Sequence, residues 1–399
     1  MLASIPVFYI SVAILLCGAL TLSLPSGYTY GPVLLLLPAL VYMWLRPYPL
    51  LVGEDKLLIG TLAFYFGVGA ITNLVHHLPP NSYDNFSRFL LAIPVLLLLL
   101  RFPVKPHFFW GGIILGALGA GATAVSDYYI AGEMRAAGHN NAIQFGDIAI
   151  LFACFLLVGF GWIKQQPKWL IIIAILATIS SVLASLLSGA RGGWLALPVG
   201  LGCFYVANHL HKNRTASYVF WGLIPVVIVM GSLFQQTGVL QVRIAQGVAD
   251  IEQYVYAGNA NTSLGLRIEL WQASLSLIVE RPLLGWGSIA NYLSITGDSA
   301  DIFQRFNHFH NEFLDATVKR GLLGFVALFA LYGIPAVLFY RQLKLCALEV
   351  KAQAYAGLVL VSATFVFGLT QSFFSHSSGV MVYAFMLVIL WSQVRTQKQ

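Results

Sequence analysis

Two arginines and a histidine stand out from the apolar background of this sequence. Arg191 lies in Ser188-Gly189-Ala190-Arg191-Gly192-Gly193-Trp194, where the glycines permit a tight turn whose backbone N–H groups can face an anion. An arginine in such a turn at a membrane boundary either grips a phosphate or snorkels to lipid headgroups, and the motif alone does not choose between them. Arg267 lies four residues before Trp271, in Leu264-Gly265-Leu266-Arg267-Ile268-Glu269-Leu270-Trp271. Residues 264–280 read as an amphipathic helix with Leu266, Leu270, Ala273 and Leu277 as its apolar stripe, ended by Pro282 and the glycines of Glu280–Gly287. Arg267 either projects toward the same anion as Arg191 or pairs with an acid such as Glu269 or Asp250. His310 lies in Asn307-His308-Phe309-His310-Asn311-Glu312-Phe313-Leu314-Asp315, beside a helix expected to start near Asn311. An imidazole titrating near ~6.5 can serve as a general base at neutral pH. The alternatives are a locally hydrogen-bonded histidine, or a metal site of His308, His310 and a carboxylate, for which His-x-His in a loop is a weak signal.

The elements that must position these residues follow from composition. Only 9% of the 399 residues are charged, 58% are hydrophobic, and the mean hydropathy is +0.79. A soluble domain of average composition carries roughly 25% charged residues. Repeated apolar runs of 16–22 residues define a polytopic, all-α integral membrane protein and exclude a soluble enzyme, a nucleic-acid reader and a disordered scaffold. Twelve spans are expected, at about 5–22, 30–45, 57–75, 87–101, 107–126, 142–163, 169–188, 192–210, 216–235, 320–340, 354–374 and 378–394. The fourth is short enough to require tilt or local thinning of the bilayer. The first lacks the basic flank of a cleaved signal and is expected to be retained.

Orientation follows from Lys and Arg. With the amino terminus inside, the inner side holds thirteen basic residues against three acids, and the outer side nine against twelve. The positive-inside rule then places both termini in the cytoplasm. The chain divides into 1–235 (spans one to nine), 236–319 (one large outer loop) and 320–399 (spans ten to twelve with a short tail). The outer loop has helical periodicity and is expected to be folded on the membrane surface. Another outer turn brings Arg135, and Asp147 falls one turn inside span six. An acid there needs a partner, so Asp147 either positions a sugar hydroxyl or pairs with Arg135. His76, His77, Asp84 and His376 read as interfacial polar residues. No cysteine falls in an outer loop, and no P-loop or GxGxxG after a strand occurs, so neither disulfides nor direct use of ATP is expected.

Arg191, Arg267 and His310 come from separate parts of the chain, yet all three are expected at the outer boundary. Two cations and one base at that depth suit a lipid carrier with a diphosphate headgroup. The planar guanidinium fork would hold the departing diphosphate, and the histidine would take a proton from an acceptor hydroxyl.

Over its whole length the chain resembles the O-antigen ligases, within the O-antigen polymerase/ligase superfamily of bacterial envelope glycosyltransferases. The resemblance rests on Ser188–Trp194, Arg267–Trp271 with Pro282–Gly287, His310-Asn311-Glu312-Phe313-Leu314 followed by Arg320-Gly321-Leu322-Leu323-Gly324, and the ligase-like Arg135–Asp147. Ala190 departs from the pattern, since many relatives carry Ser or Thr there. The resemblance implies a helical, lipid-carrier-dependent (GT-C-like) glycosyltransferase of the bacterial inner membrane with its active site facing the periplasm. It would move a polysaccharide from undecaprenyl diphosphate to a sugar of lipid A–core, with inversion, without a nucleotide sugar, cofactor or metal. His310 carries over as base and Arg191 and Arg267 as diphosphate binders, and Trp271, Asn311, Arg135 and Asp147 complete the implied substrate-binding set. An O-antigen polymerase and a protein O-oligosaccharyltransferase would share the donor. A transporter or flippase is the rival of another class, and it fits less well because the polar candidates cluster at one face and no internal repeat is evident.

Overall fold

A computed structural model describes residues 4–44, 49–210, 239–259, 261–296, 307–345 and 348–396, and every regular element among them is helical. The bundle begins with α1 (Ser4–Ala19), α2 (Gly27–Tyr42), α3 (Gly53–Val75), α4 (Asp84–Arg101), α5 (Pro106–Val125) and α6 (Ala142–Val158). It continues with α7 (Lys168–Ser188), the one-turn helix Arg191–Trp194 and α8 (Ala196–Leu210). Then come α9 (Val239–Ala257), α10 (Ser263–Glu280) and α11 (Ile289–Thr296), followed by α12 (Glu312–Leu345), α13 (Leu348–Thr370) and α14 (Ser377–Thr396). Among the described residues seven helices are long and apolar enough to cross a membrane, and Val7–Ala19, Gly27–Tyr42 and Ala142–Val158 are shorter apolar ones. The chain is a multi-pass membrane protein.

Eleven of the twelve expected spans fall on helices. The ninth, 216–235, lies outside the described residues, as do Arg46, Lys212, Arg214, Lys398 and Cys346. Of the boundaries that differ, three are instructive. The short fourth span is the end of the 18-residue α4, whose first turn is polar because Asn85 donates to the carbonyls of Phe374 (3.1 Å) and Ser375 (3.0 Å). The sixth breaks at Gly159 before the separate turn Phe160–Ile163. The eleventh stops at Thr370, four residues early, because Phe374 turns its N–H to the Glu312 carboxylate (2.8 Å) instead of continuing the helix.

Every residue of α14 from Ser378 to Val394 is buried, so this helix runs through the centre, packed on α4 and α13. At one end of the bundle, Asp55 at the start of α3 accepts from Trp391 Nε1 (2.9 Å) and pairs with Arg395 (3.1 Å), both on α14. Beside it Gln342 of α12 donates to Glu54 (2.9 Å). At the other end the same helices meet the 307–311 turn, Phe373–Ser375 and His376. The polar candidates all lie at that second end.

The segment between α8 and α12 is built on α10. Thr262 accepts from the N–H of Gly265 (3.0 Å) and caps its start. Leu270 and Leu277 of the stripe are buried with Trp286, Ile289, Phe309 and Val318 in a small apolar core of their own.

Candidate active site

His310 sits in a backbone conformation with φ 49°, a left-handed one that a residue with a Cβ adopts at a cost. Four side chains hold it there. Asp315 accepts the N–H of Phe309 (3.2 Å), and Trp271 Nε1 donates to the Phe309 carbonyl (3.0 Å). Asn311 caps α12 by accepting from Phe313 N–H (3.0 Å) and Leu314 N–H (3.1 Å), while its amide donates to the Leu369 carbonyl (3.1 Å). Phe309 itself is 0% exposed and pins the turn into the small core. Trp271 and Asn311 thus spend these polar groups on the backbone around His310.

A further contact sets the proton. His310 Nδ1 lies 2.9 Å from Gln371 Oε1, and Gln371 Nε2 lies 3.0 Å from His376 Nε2. With the amide oxygen toward His310, Nδ1 is the N–H donor and Nε2 carries the lone pair, the atom of a general base. Burial pushes the His310 imidazole below its ordinary value near 6.5, the Gln371 hydrogen bond opposes this, and the charge of Arg267 adds to it. Burial and the neighbouring His310 push His308 down to about 3, and His376 is lowered for the same reasons. The cluster is therefore neutral at physiological pH. The His308 ring lies 4.2 Å from His310 and 5.7 Å from His376, yet among the described residues no three His, Cys, Asp or Glu side chains are disposed to hold a metal ion.

Arg191 and Arg267 line one cavity of about 670 Å³ together with Arg135, Asp250, Thr370 and the 189–192 turn. The turn can lie this deep because Gly192 and Gly193 have no Cβ: one at 192 would run into Thr370 and one at 193 into the Asp147 carboxylate. Helix α9 passes over Arg191, where a Cβ on Gly247 would stand 2.9 Å from a guanidinium nitrogen. Burial, and then the like charge of Arg191, push the Arg267 guanidinium below its ordinary value, with Asp147 opposing. A concentration of positive charge is thereby held in a concave, partly desolvated site, the arrangement that an anion relieves.

Arg135 donates through Nε to the Ser188 carbonyl (2.7 Å) and so braces the end of α7. Asp147 is 1% exposed, and among the described residues neither carboxylate oxygen has a hydrogen-bond partner. It stands behind the glycine turn within the field of Arg267 and Arg135.

Gln371 falls inside the expected eleventh span, which would bury it in lipid. A signal was present: Gln371 and His376 stand five residues apart at a membrane boundary, where polar side chains are retained for a reason. The support that Asp315 gives the His310 turn depends on folding and has no mark in the sequence.

Comparison with known proteins bears on this site directly. The sequence pattern of a family described as O-antigen ligase matches residues 176–329, which include Arg191, Arg267 and His310. The chain is also 31% identical over 384 residues to an uncharacterized protein of Haemophilus influenzae, a match covering 94% of this chain and 96% of that one.

Proposed function

This chain belongs to the O-antigen ligase family, and we propose that it transfers a polysaccharide from undecaprenyl diphosphate to a sugar hydroxyl of lipid A–core at the periplasmic face of the inner membrane. The observation that carries this reading is the convergence of Arg191 and Arg267 on one cavity at the same end of the bundle as His310.

The reaction is a single displacement. His310 Nε2 accepts the proton of the acceptor hydroxyl as its oxygen attacks the anomeric carbon. The bond from that carbon to the diphosphate oxygen breaks, and the electron pair leaves with undecaprenyl diphosphate. Inversion follows, and no carboxylate pair is needed. Arg191 and Arg267 stabilise the charge that develops on the leaving diphosphate; Arg135 and Asp147 set the wall behind them. Loss of one such contact costs about 10²–10³ in rate, and loss of the base about 10²–10⁴. Trp271, Asn311 and Gln371 position the base.

The test is glycan transfer by purified protein in proteoliposomes supplied with lipid-linked glycan and acceptor lipid. His310→Ala and Arg191→Ala should each lower turnover by the factors above, and near-normal turnover in both would sink the scheme. A deletion strain separates ligase from polymerase on a lipopolysaccharide gel. Polymer retained on the carrier lipid identifies the ligase, and core capped with one repeat identifies the polymerase.

A further inference from the structure

The same end of the bundle holds a second cavity of about 550 Å³, beyond the histidine turn from the arginine cavity. The strand of chain from Thr370 to Ser377 separates the two. Thr370 lines the arginine cavity, Phe374–Ser377 line the second, and Gln371 between them bridges His310 to His376. His308 and His376 also face this second space.

Its chemistry differs from that of the first. Asn81, Ser82 and Asn307 line it together with the acids Asp84, Glu312 and Asp315, the ammonium of Lys319 and one buried guanidinium, that of Arg320. Arg320 is 7% exposed and stacks over the Phe86 ring at 4.9 Å. Among the described residues its Nε has no hydrogen-bond partner, and no carboxylate stands within ion-pair distance of it. Of the acids in the lining, Asp315 is paired with Lys319 (2.8 Å), and Glu312 accepts the N–H of Phe374 (2.8 Å) and meets Arg320 only through its field. Asn73, 4% exposed, lines the same cavity, and its amide nitrogen also lacks a partner.

Two buried donors without partners in one cavity carry a desolvation cost that the protein itself does not offset. A ligand can offset it. A guanidinium over an aromatic ring can still offer its fork to a phosphate or carboxylate, and the surrounding amides and hydroxyls suit the hydroxyls of a sugar. We propose that this cavity binds the acceptor saccharide and that Arg320 holds an anionic group of that saccharide. The Arg320-Gly321 motif thus has a ligand-facing member as well as a structural one. This assignment rests on the arginine cavity being the donor site. It places donor and acceptor on opposite sides of the wall that carries His310.

The experiment uses the full protein in proteoliposomes with lipid-linked glycan as donor. Acceptors are lipid A–core, the same lipid dephosphorylated, and the same lipid carboxyl-reduced. Arg320→Gln should raise the KM for intact acceptor about tenfold or more, leaving the donor KM within about twofold, as expected for a group remote from the donor. For wild-type protein, one of the two modified acceptors should show the same rise, naming phosphate or carboxylate, and Arg320→Gln should not respond further to that modification. Asn81→Trp, a loop substitution that fills the cavity without touching Arg320, should also raise only the acceptor KM, which keeps the test available if Arg320→Gln does not fold. An unchanged acceptor KM in the folded variants, or a rise in the donor KM instead, overturns the assignment. Wild-type protein that transfers no glycan defeats the donor-site reading itself, an outcome distinct from a shift in one KM.

Discussion

The chemistry of His310 is decided by one amide. Gln371 Oε1 fixes Nδ1 as the donor, and burial keeps the ring neutral below the usual histidine range, so Nε2 is a base at physiological pH. The sign follows directly. Activity that needs the neutral ring is full above the lowered pKa and is lost as pH falls through it, so the acid limb of kcat/KM lies below ~6.5. Gln371→Glu places a carboxylate against Nδ1, favours the imidazolium, and should move that limb to higher pH by about a unit or more. A pH–rate profile of the two proteins decides; an acid limb at the same pH in both would mean that His310 is not the titrating base. The neighbour Trp271 acts through the backbone. Trp271→Phe removes the donor to the Phe309 carbonyl while keeping the ring, so it should lower kcat and leave the donor KM nearly unchanged. A raised donor KM with normal kcat would instead put Trp271 in contact with substrate.

At the scale of elements, the kink in α12 joins the His310 turn to the Pro282–Gly287 stretch after α10. Gly321 has φ 62° and ψ −159°, a conformation open to glycine alone without strain. The kink turns the Leu322 N–H to the Pro282 carbonyl (2.7 Å), and the carbonyls of Val318 and Lys319 accept instead from Trp286 and Gly287 (2.8 Å each). The Pro282–Gly287 and Arg320–Gly324 motifs are thus two halves of one hydrogen-bonded joint. Gly321→Ala should cost at least about 2 kcal/mol, from backbone strain together with the collision of the new Cβ with the Leu283 backbone. Gly333→Ala, in the same helix with no atom near the new methyl, should be neutral or mildly stabilising. Thermal unfolding of both in detergent checks the pair, and equal melting temperatures would refute the joint. This element also shows where a sequence stops being legible. The apolar spans and the α10 stripe could be read because lipid and a small core impose a hydropathy period on local sequence. The early end of α13, the break at Gly159 and the exchange of hydrogen bonds at Gly321 depend on partners tens or hundreds of residues away. Arg191, Arg267 and His310 could be singled out by type and boundary position, whereas the pairing of Gln371 with His310 depends on folding, and nothing in the sequence marks Arg320 as lacking a hydrogen-bond partner among the described residues.

Across the whole molecule, the two ends of the bundle carry different duties. One end holds the two cavities and the histidine turn, and its polar groups include several buried atoms without partners, such as those of Asp147, Asn73 and Arg320. The other end clamps the first turn of α3 to the last turn of α14 through Asp55, Trp391 and Arg395. Because α14 is the buried axis of the bundle, this clamp fixes the helix whose far end begins just after His376. Asp55 is fully buried, so Asp55→Ala leaves the Arg395 guanidinium and the Trp391 N–H without their acceptor in a site that water reaches poorly. The loss should be about 3–5 kcal/mol of stability. Arg395→Gln in the same protein should recover part of it by removing the stranded charge. Neither change touches the cavities, so the yield of folded protein, followed by size-exclusion in detergent, should fall while the glycan transferred per folded molecule stays at the wild-type rate. A folded Asp55→Ala protein with a lowered kcat would show instead that the clamp at one face is coupled to the geometry of His310 at the other.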